Sequence, residues 1–302
     1  MHTKEIGKNL FIIDLETGGI PKIIASYVLK GDKTIIVETG PSSSVPNLLS
    51  GLKELNVKGE DVAYVAISHV HIDHGGGAGC LLKLVPNAKV IVHPRGVPYL
   101  VNPEKLWLQA KEVLGPVAET FGEPVPVPKD RIMAAADGAT FRAGNVKLKA
   151  IETLGHASHH LSYYEPVKRG IFPGDAAGIY LSQFNAVVPT APPPFRLDIA
   201  LSSLHKLVRL NPQTLYFSHF GSASDAVKRL QDYAEQIQLW ANISQEGVKN
   251  KWSFEEIRER ILAKDKVMRK LAGRLRSHSI YVKTVLENSV QGFIDFAEKA
   301  QS

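Results

Sequence analysis

The sequence predicts a mixed α/β domain over residues 1–222, followed by a helical region over residues 223–302. Two observations predict it. Short β-favouring runs separated by turn residues recur through the first two thirds of the chain, with helical patterns between them. After Gly221 the pattern changes to apolar residues at helical spacing. A third observation bounds the class. With 302 residues, 44% hydrophobic and 22% charged, the composition is ordinary for a globular chain, which argues against intrinsic disorder and fibrous repeats.

The elements follow in order. Residues 10–13, 23–29 and 33–38 read as strands, with a hairpin turn at Lys30, Gly31 and Asp32. Residues 47–55 put Leu48, Leu49, Leu52 and Leu55 on one helical face. Residues 62–68 are a continuous apolar run, the pattern of a strand buried on both faces. A helical fragment at 81–84 and a strand at 89–93 come next, then a loosely helical stretch over 96–120. Residues 122–128 carry three prolines and read as a linker or edge segment. Strand patterns resume at 140–142, 146–153, 161–164, 170–172 and 213–218. Pro192, Pro193 and Pro194 exclude helix and central strand where they stand. Beyond residue 222, Val227, Leu230, Tyr233, Ile237 and Trp240 recur at helical spacing. Ser253 and Glu256 form a capping box ahead of Ile257 and Ile261. Residues 279–300 repeat the helical pattern with Ile280, Val285, Phe293 and Phe296. Such apolar stripes need a partner, most simply the preceding domain.

Charge and cysteine content exclude other classes. Lys and Arg number 36 and Asp and Glu 30, a net charge of +6 that is spread along the chain. The densest basic stretch, residues 258–276, is interleaved with acidic and apolar residues and reads as a solvated helix face. This argues against a nucleic-acid partner. The single Cys80 excludes an internal disulfide. No apolar run approaches the roughly 18 residues of a membrane span. The start of the chain is polar, so a cytoplasmic protein with no membrane partner is the expectation.

One segment dominates the chemistry: Ser68-His69-Val70-His71-Ile72-Asp73-His74-Gly75-Gly76-Gly77. Four potential ligands lie directly after an apolar strand. In an extended chain alternate residues share a face, so His69, His71 and Asp73 would point one way and a turn would bring His74 near. The glycines permit that turn. Three further candidates follow later apolar runs beside glycines: His156, Asp175 and His219. Five imidazoles and two carboxylates exceed the about four ligands of one zinc and suit two metals sharing a carboxylate.

This ordered set resembles the metallo-β-lactamase-fold hydrolase superfamily, whose hallmark is His-x-His-x-Asp-His followed by Gly-His, Gly-Asp and a late His. The resemblance covers residues 8–222 and includes Val37-Glu38-Thr39-Gly40, where members more often carry Asp than Glu. It implies a four-layer αββα sandwich, here with a C-terminal helical extension. It also implies that His69, His71 and His156 hold a first divalent metal, that Asp73, His74 and His219 hold a second, and that Asp175 bridges them. Zinc is the first expectation, and iron or manganese also suits such ligands. The bridging Asp places the resemblance with the glyoxalase II and lactonase branches rather than with true β-lactamases.

The implied reaction is hydrolysis of an ester-type bond by a hydroxide shared between the metals, with Asp73 and Asp175 as the carboxylates at the reacting water. Carboxylic esters, lactones, phosphodiesters and phosphotriesters are the candidate small-molecule substrates. The alternatives are a glyoxalase II-like thioesterase and a nuclease of the same fold. Metal-bound imidazoles usually donate their second nitrogen to an acceptor, and Glu38 is the candidate for that role. Tyr180, Phe184 and Phe195 are the candidate substrate wall. Gly178 stands where lactonases of this superfamily often carry a Tyr. The apolar stripes leave monomer and homodimer both open.

Overall fold

The computed structural model describes residues 2–271 and 280–300, with side chains omitted for 280–284. Residues 272–276 of the basic stretch, His278, and Ser279, where the last helical pattern begins, lie outside the described residues. The strands are β1 Thr3–Gly7, β2 Leu10–Asp14, β3 Ala25–Leu29, β4 Thr34–Val37, β5 Val62–Ala66, β6 Lys89–Val92, β7 Ile132–Ala134, β8 Thr140–Ala143, β9 Val146–Glu152, β10 Leu161–Glu165, β11 Gly170–Phe172, β12 Ile179–Leu181, β13 Ala186–Val188, β14 Thr214–Phe217 and β15 Gly221–Ala223. The helices are α1 Val45–Glu54, α2 Ile72–Gly75, α3 Ala78–Leu82, α4 Val97–Val101, α5 Glu104–Leu114, α6 Pro116–Phe121, α7 Leu197–Arg209, α8 Ala226–Lys249, α9 Phe254–Lys264, α10 Lys266–Leu271 and α11 Ile280–Lys299.

Two compact units emerge. The first comprises the described residues of Met1–Glu152, His159–Gly174 and Thr214–Ala223. It holds a seven-stranded sheet ordered β1-β2-β3-β4-β5-β6-β7 and a six-stranded sheet ordered β15-β14-β11-β10-β9-β8. From β1 to β4 the first sheet is an antiparallel meander; from β4 to β7 it is parallel. The β3–β4 hairpin turns where the Lys30-Gly31-Asp32 signal places it. β5 has parallel neighbours on both sides, as its continuous apolar run predicts.

Strand alternation builds the core between the two sheets. Ala25, Tyr27 and Leu29 of β3 and Ile35 and Val37 of β4 point inward, opposite Leu148 and Ala150 of β9 and Leu161 and Tyr163 of β10. The Tyr27 ring meets Phe172 edge-on at 5.2 Å, and Phe172 stacks on Tyr216 at 4.9 Å. Ile13 points to the outer face of the first sheet, under α1. There Gly51 permits close contact, because a Cβ at that position would come within 2.6 Å of Ile13.

The second unit comprises the described residues of Thr153–Ser158, Asp175–Gln213 and Ser224–Ser302. It contains the β12–β13 hairpin, α7, and the helices from α8 onward. Trp240 of α8 packs on Phe293 of α11 at 5.6 Å between ring centroids. Buried Asp265, between α9 and α10, accepts hydrogen bonds from Gln236 Nε2 at 2.8 Å and Trp240 Nε1 at 2.7 Å. The capping box forms as expected, with Glu256 N donating to Ser253 Oγ and Ser253 N to Glu256 Oε2. Helix α7 is an addition to the expected elements, although Leu197, Ala200, Leu204 and Leu207 recur at helical spacing. Among the described residues no helix is long and apolar enough to cross a membrane.

Candidate metal centre

The segment after β5 departs from the extended reading. His69 follows the strand in extended chain, and His71 is the residue before a single helical turn, α2, that carries both Asp73 and His74. Asp73 is therefore aimed by the helix and not by strand alternation. The turn is held from a distance. Thr39 donates to the His74 carbonyl oxygen from its N–H at 3.1 Å and from its hydroxyl at 2.8 Å. Gly77 N donates to Gly40 O at 2.8 Å, and a Cβ on Gly76 would lie 2.2 Å from Ile72 O. The Thr39-Gly40 corner thus grips the C-terminal end of this turn.

Within the first unit, Asp73, His74 and His219 converge. His74 Nε2 and His219 Nε2 lie 3.2 Å apart, and Asp73 Oδ2 lies 3.7 Å from the first and 3.6 Å from the second. Two donors on one tetrahedral zinc, each about 2.0–2.1 Å from it, stand about 3.3 Å apart. The triad has the edges of such a polyhedron, and its donors are of the right kind. Nearby, His69 Nε2 and His71 Nδ1 approach to 2.8 Å, which again brings two ring nitrogens together.

Three of the remaining ring nitrogens face oxygen atoms, the arrangement that metal-holding imidazoles use. His74 Nδ1 lies 3.4 Å from Glu38 Oε1, and His69 Nδ1 lies 2.9 Å from Ser68 Oγ. His219 Nδ1 lies 3.3 Å from the Ile23 carbonyl oxygen. Glu38 is itself buried, and a buried carboxylate needs donors. It receives Ser68 N–H at 3.3 Å and Ser218 Oγ–H at 3.1 Å. Ser68 and Ser218 each precede a candidate ligand histidine, and this repeated Ser-His pair is a signal in the sequence that points to Glu38. His74 and His219 are almost fully buried, whereas the Asp73 side chain is 15% exposed and forms the open side of the triad.

Two other histidines of the first unit have structural places. His160 is fully buried with its ring 4.9 Å from that of His69. His93 Nδ1 accepts from Arg95 N at 3.1 Å and its Nε2 faces Glu152 Oε2 at 2.9 Å, joining the ends of β6 and β9.

His156 and Asp175 belong to the second unit, with His156 Nε2 3.5 Å from Asp175 Oδ2. The other nitrogen of His156 lies 3.0 Å from the Thr190 carbonyl oxygen. Gly155 is required beside it, at φ +128 and with Ala200 of α7 so near that a Cβ would come within 2.6 Å. Of the candidate substrate residues, Tyr180 donates its hydroxyl to Asn185 Oδ1 at 2.8 Å, and Arg229 lies over its ring. Phe184 lines a cleft of about 810 Å³ together with Arg229, Leu239, Lys266 and Lys270. Phe195 is packed edge-on against Phe293 at 4.9 Å and is buried, so packing accounts for its aromatic ring.

Comparison with known proteins identifies the family. The family model of the metallo-beta-lactamase superfamily matches residues 19–219. The metallo-beta-lactamase fold-containing protein ST1585 of Sulfurisphaera tokodaii is 30% identical over 235 residues, which is 76% of this chain and 85% of that protein. A crystal structure of ST1585, from Sulfolobus tokodaii, superposes with a TM-score of 0.67 at 24% identity, covering 90% of this chain and 93% of that one. The probable hydroxyacylglutathione hydrolase glo2 of Schizosaccharomyces pombe is 27% identical over 155 residues, 50% of this chain and 47% of that protein. An atrochrysone carboxyl ACP thioesterase of Emericella nidulans is 24% identical over 162 residues, 51% of this chain and 43% of that protein. The chain thus spans under half the length of these last two. The expected fold, two facing sheets with flanking and C-terminal helices, is the one these comparisons support.

Proposed function

Because the chain belongs to the metallo-beta-lactamase superfamily, we propose that it is a di-metal hydrolase of ester-type bonds. In this reading His69, His71 and His156 hold one divalent ion, Asp73, His74 and His219 hold the other, and Asp175 is shared. The observation that carries it is the Asp73, His74 and His219 triad, whose donor atoms stand 3.2–3.7 Å apart. When bound, two ions, zinc foremost, supply a shared water of lowered pKa and polarise the oxygen of the scissile bond.

The chain's own residues have distinct tasks in this scheme. Glu38 faces Nδ1 of His74, so that Nε2 keeps its lone pair for the ion. Ser68 does the same for His69. The open side of Asp73 is the side from which water and substrate approach. In this reading Asp73 and Asp175 are the carboxylates that would hold the reacting water in orientation. Phe184 and Tyr180 are the candidate contacts for the apolar part of a small-molecule substrate, with the Tyr180 hydroxyl bonded to Asn185 beside Phe184. Phe195 belongs to the packed interior.

Carboxylic esters and lactones lead the substrate classes, with phosphodiesters and phosphotriesters beside them. A thioester reading has specific support, since two relatives are named as a hydroxyacylglutathione hydrolase and an ACP thioesterase. The deciding experiment is kcat/KM on a lactone, a thioester, a phosphodiester and a phosphotriester, with metal-replete and chelator-stripped enzyme. The expected result is one class ahead by about a thousandfold, because a dedicated pocket binds one transition state selectively. Turnover that survives chelation would overturn the reading.

A further inference from the structure

Two of the C-terminal helices, α8 and α11, grip the segment of the second unit that carries the acceptor for His156. The peptide between Thr190 and Ala191 is bonded at both ends. Its carbonyl oxygen lies 3.0 Å from His156 Nδ1, and its N–H donates to Ser289 Oγ of α11 at 3.1 Å. Ser289 is buried, and its hydroxyl bonds in turn to Val285 O at 2.7 Å and Pro189 O at 3.2 Å. Three residues on, Gly292 meets the same segment with bare backbone, since a Cβ there would come within 1.8 Å of Ala191 O. From α8, buried Tyr233 hydrogen-bonds with the backbone of Thr190, and its ring fills the space above Gly178, where a Cβ would stand 2.6 Å away.

A carbonyl oxygen only accepts, so the nitrogen of His156 that faces Thr190 carries the proton. The Nε2 lone pair is then left on the side of Asp175 Oδ2, 3.5 Å away. A peptide whose N–H is already bonded is a more polarised acceptor, and one held at both ends cannot rotate. We propose that Ser289 is a positioning residue that, through the peptide between Thr190 and Ala191, fixes the tautomer and aim of His156, with Tyr233 and Gly292 holding the same segment. This rests on the reading of His156 as a metal ligand.

The test uses the full chain with two readouts: the His156 tautomer in chelator-stripped protein, by heteronuclear NMR of labelled imidazole rings, and zinc affinity by competition with a chromophoric chelator. Ser289→Ala is expected to turn His156 from a single Nδ1–H tautomer into a mixture. It is also expected to weaken one of the two zinc sites by about tenfold or more, in line with loss of an outer partner of a ligand. Ser289→Thr keeps the hydroxyl and is expected to restore both. If Ser289→Ala does not fold, Tyr233→Phe, which deletes one hydroxyl, gives the same two readouts with the same expectation. A folded variant with His156 still wholly Nδ1–H and zinc affinity unchanged would overturn the inference, even if its melting temperature falls. A wild-type chain that binds no second zinc would instead overturn the di-metal reading, while the tautomer comparison would still decide the role of Ser289.

Discussion

Glu38 concentrates several demands in one residue. Its backbone is left-handed at φ +66, which costs a non-glycine residue about 1–3 kcal/mol and persists only where surroundings over-determine it. Here they do. Its N–H donates to Ala66 O at 2.9 Å, its carboxylate collects Ser68 N–H and Ser218 Oγ, and it faces His74 Nδ1. Glu38→Ala is therefore expected to lower metal affinity at the Asp73, His74 and His219 triad by about 10–100-fold, the usual effect of deleting such a partner. Chelator competition on the purified variant measures it, and an affinity equal to wild type would reduce Glu38 to a structural residue. At this scale the sequence was legible where chemistry is contiguous. Four ligand types within six residues announce themselves. The supporting residues do not, because Ser218 is 180 positions from Glu38 and only the fold brings them together.

Elements were legible in proportion to their local signal. Strands with apolar alternation or a continuous apolar run, such as β3, β4 and β5, stand where their patterns put them. Of the three-residue strands only β11 matches an expected run, while β7, β12, β13 and β15 are too short to show a period; β1 is polar and exists because β2 offers it an edge. The turn α2 was read as extended because its helical form is imposed by Thr39 and Gly40, more than thirty positions away. The same long-range logic governs the turn carrying His219. Tyr27 of β3 donates its hydroxyl to Phe217 O at 2.6 Å and lies 2.9 Å from Gly221 O, spanning the β14–β15 turn that contains Ser218 and His219. Tyr27→Phe keeps the ring and removes one of the ties on that turn. The expected cost is about 1–3 kcal/mol in urea unfolding, the penalty for buried polar groups losing a partner. It should also weaken zinc binding more than Tyr163→Phe does, since Tyr163 donates to Ile67 O and Ile91 O and not to the His219 turn. Equal zinc affinity in the two variants would separate Tyr27 from the site.

At the scale of the whole molecule, stability rests on cores that were legible as alternation, yet they contain hydroxyls that alternation does not report. Tyr27 and Tyr163 are fully buried between the sheets of the first unit, and Tyr233 is buried in the second. Burial is the main cause holding all three well above the ordinary tyrosine range, against the smaller opposite pull of backbone hydrogen bonds at Tyr27 and Tyr233. The sign follows from proton linkage. Below the unfolded tyrosine pKa of about 10, both states keep the phenolic proton and stability is unaffected. Above it the unfolded chain loses the proton and the native chain keeps it, so stability falls as pH rises, by up to about 1.4 kcal/mol per unit for each such tyrosine. Urea midpoints are thus expected to hold level through mildly alkaline pH and to drop steeply beyond about pH 10. Tyr163→Phe should lower the level part, because its two carbonyl contacts are lost, and should also make the alkaline drop shallower, because one ionising group is gone. A variant with a lower plateau and an unchanged alkaline slope would show that Tyr163 ionises as readily in the native chain as in the unfolded one.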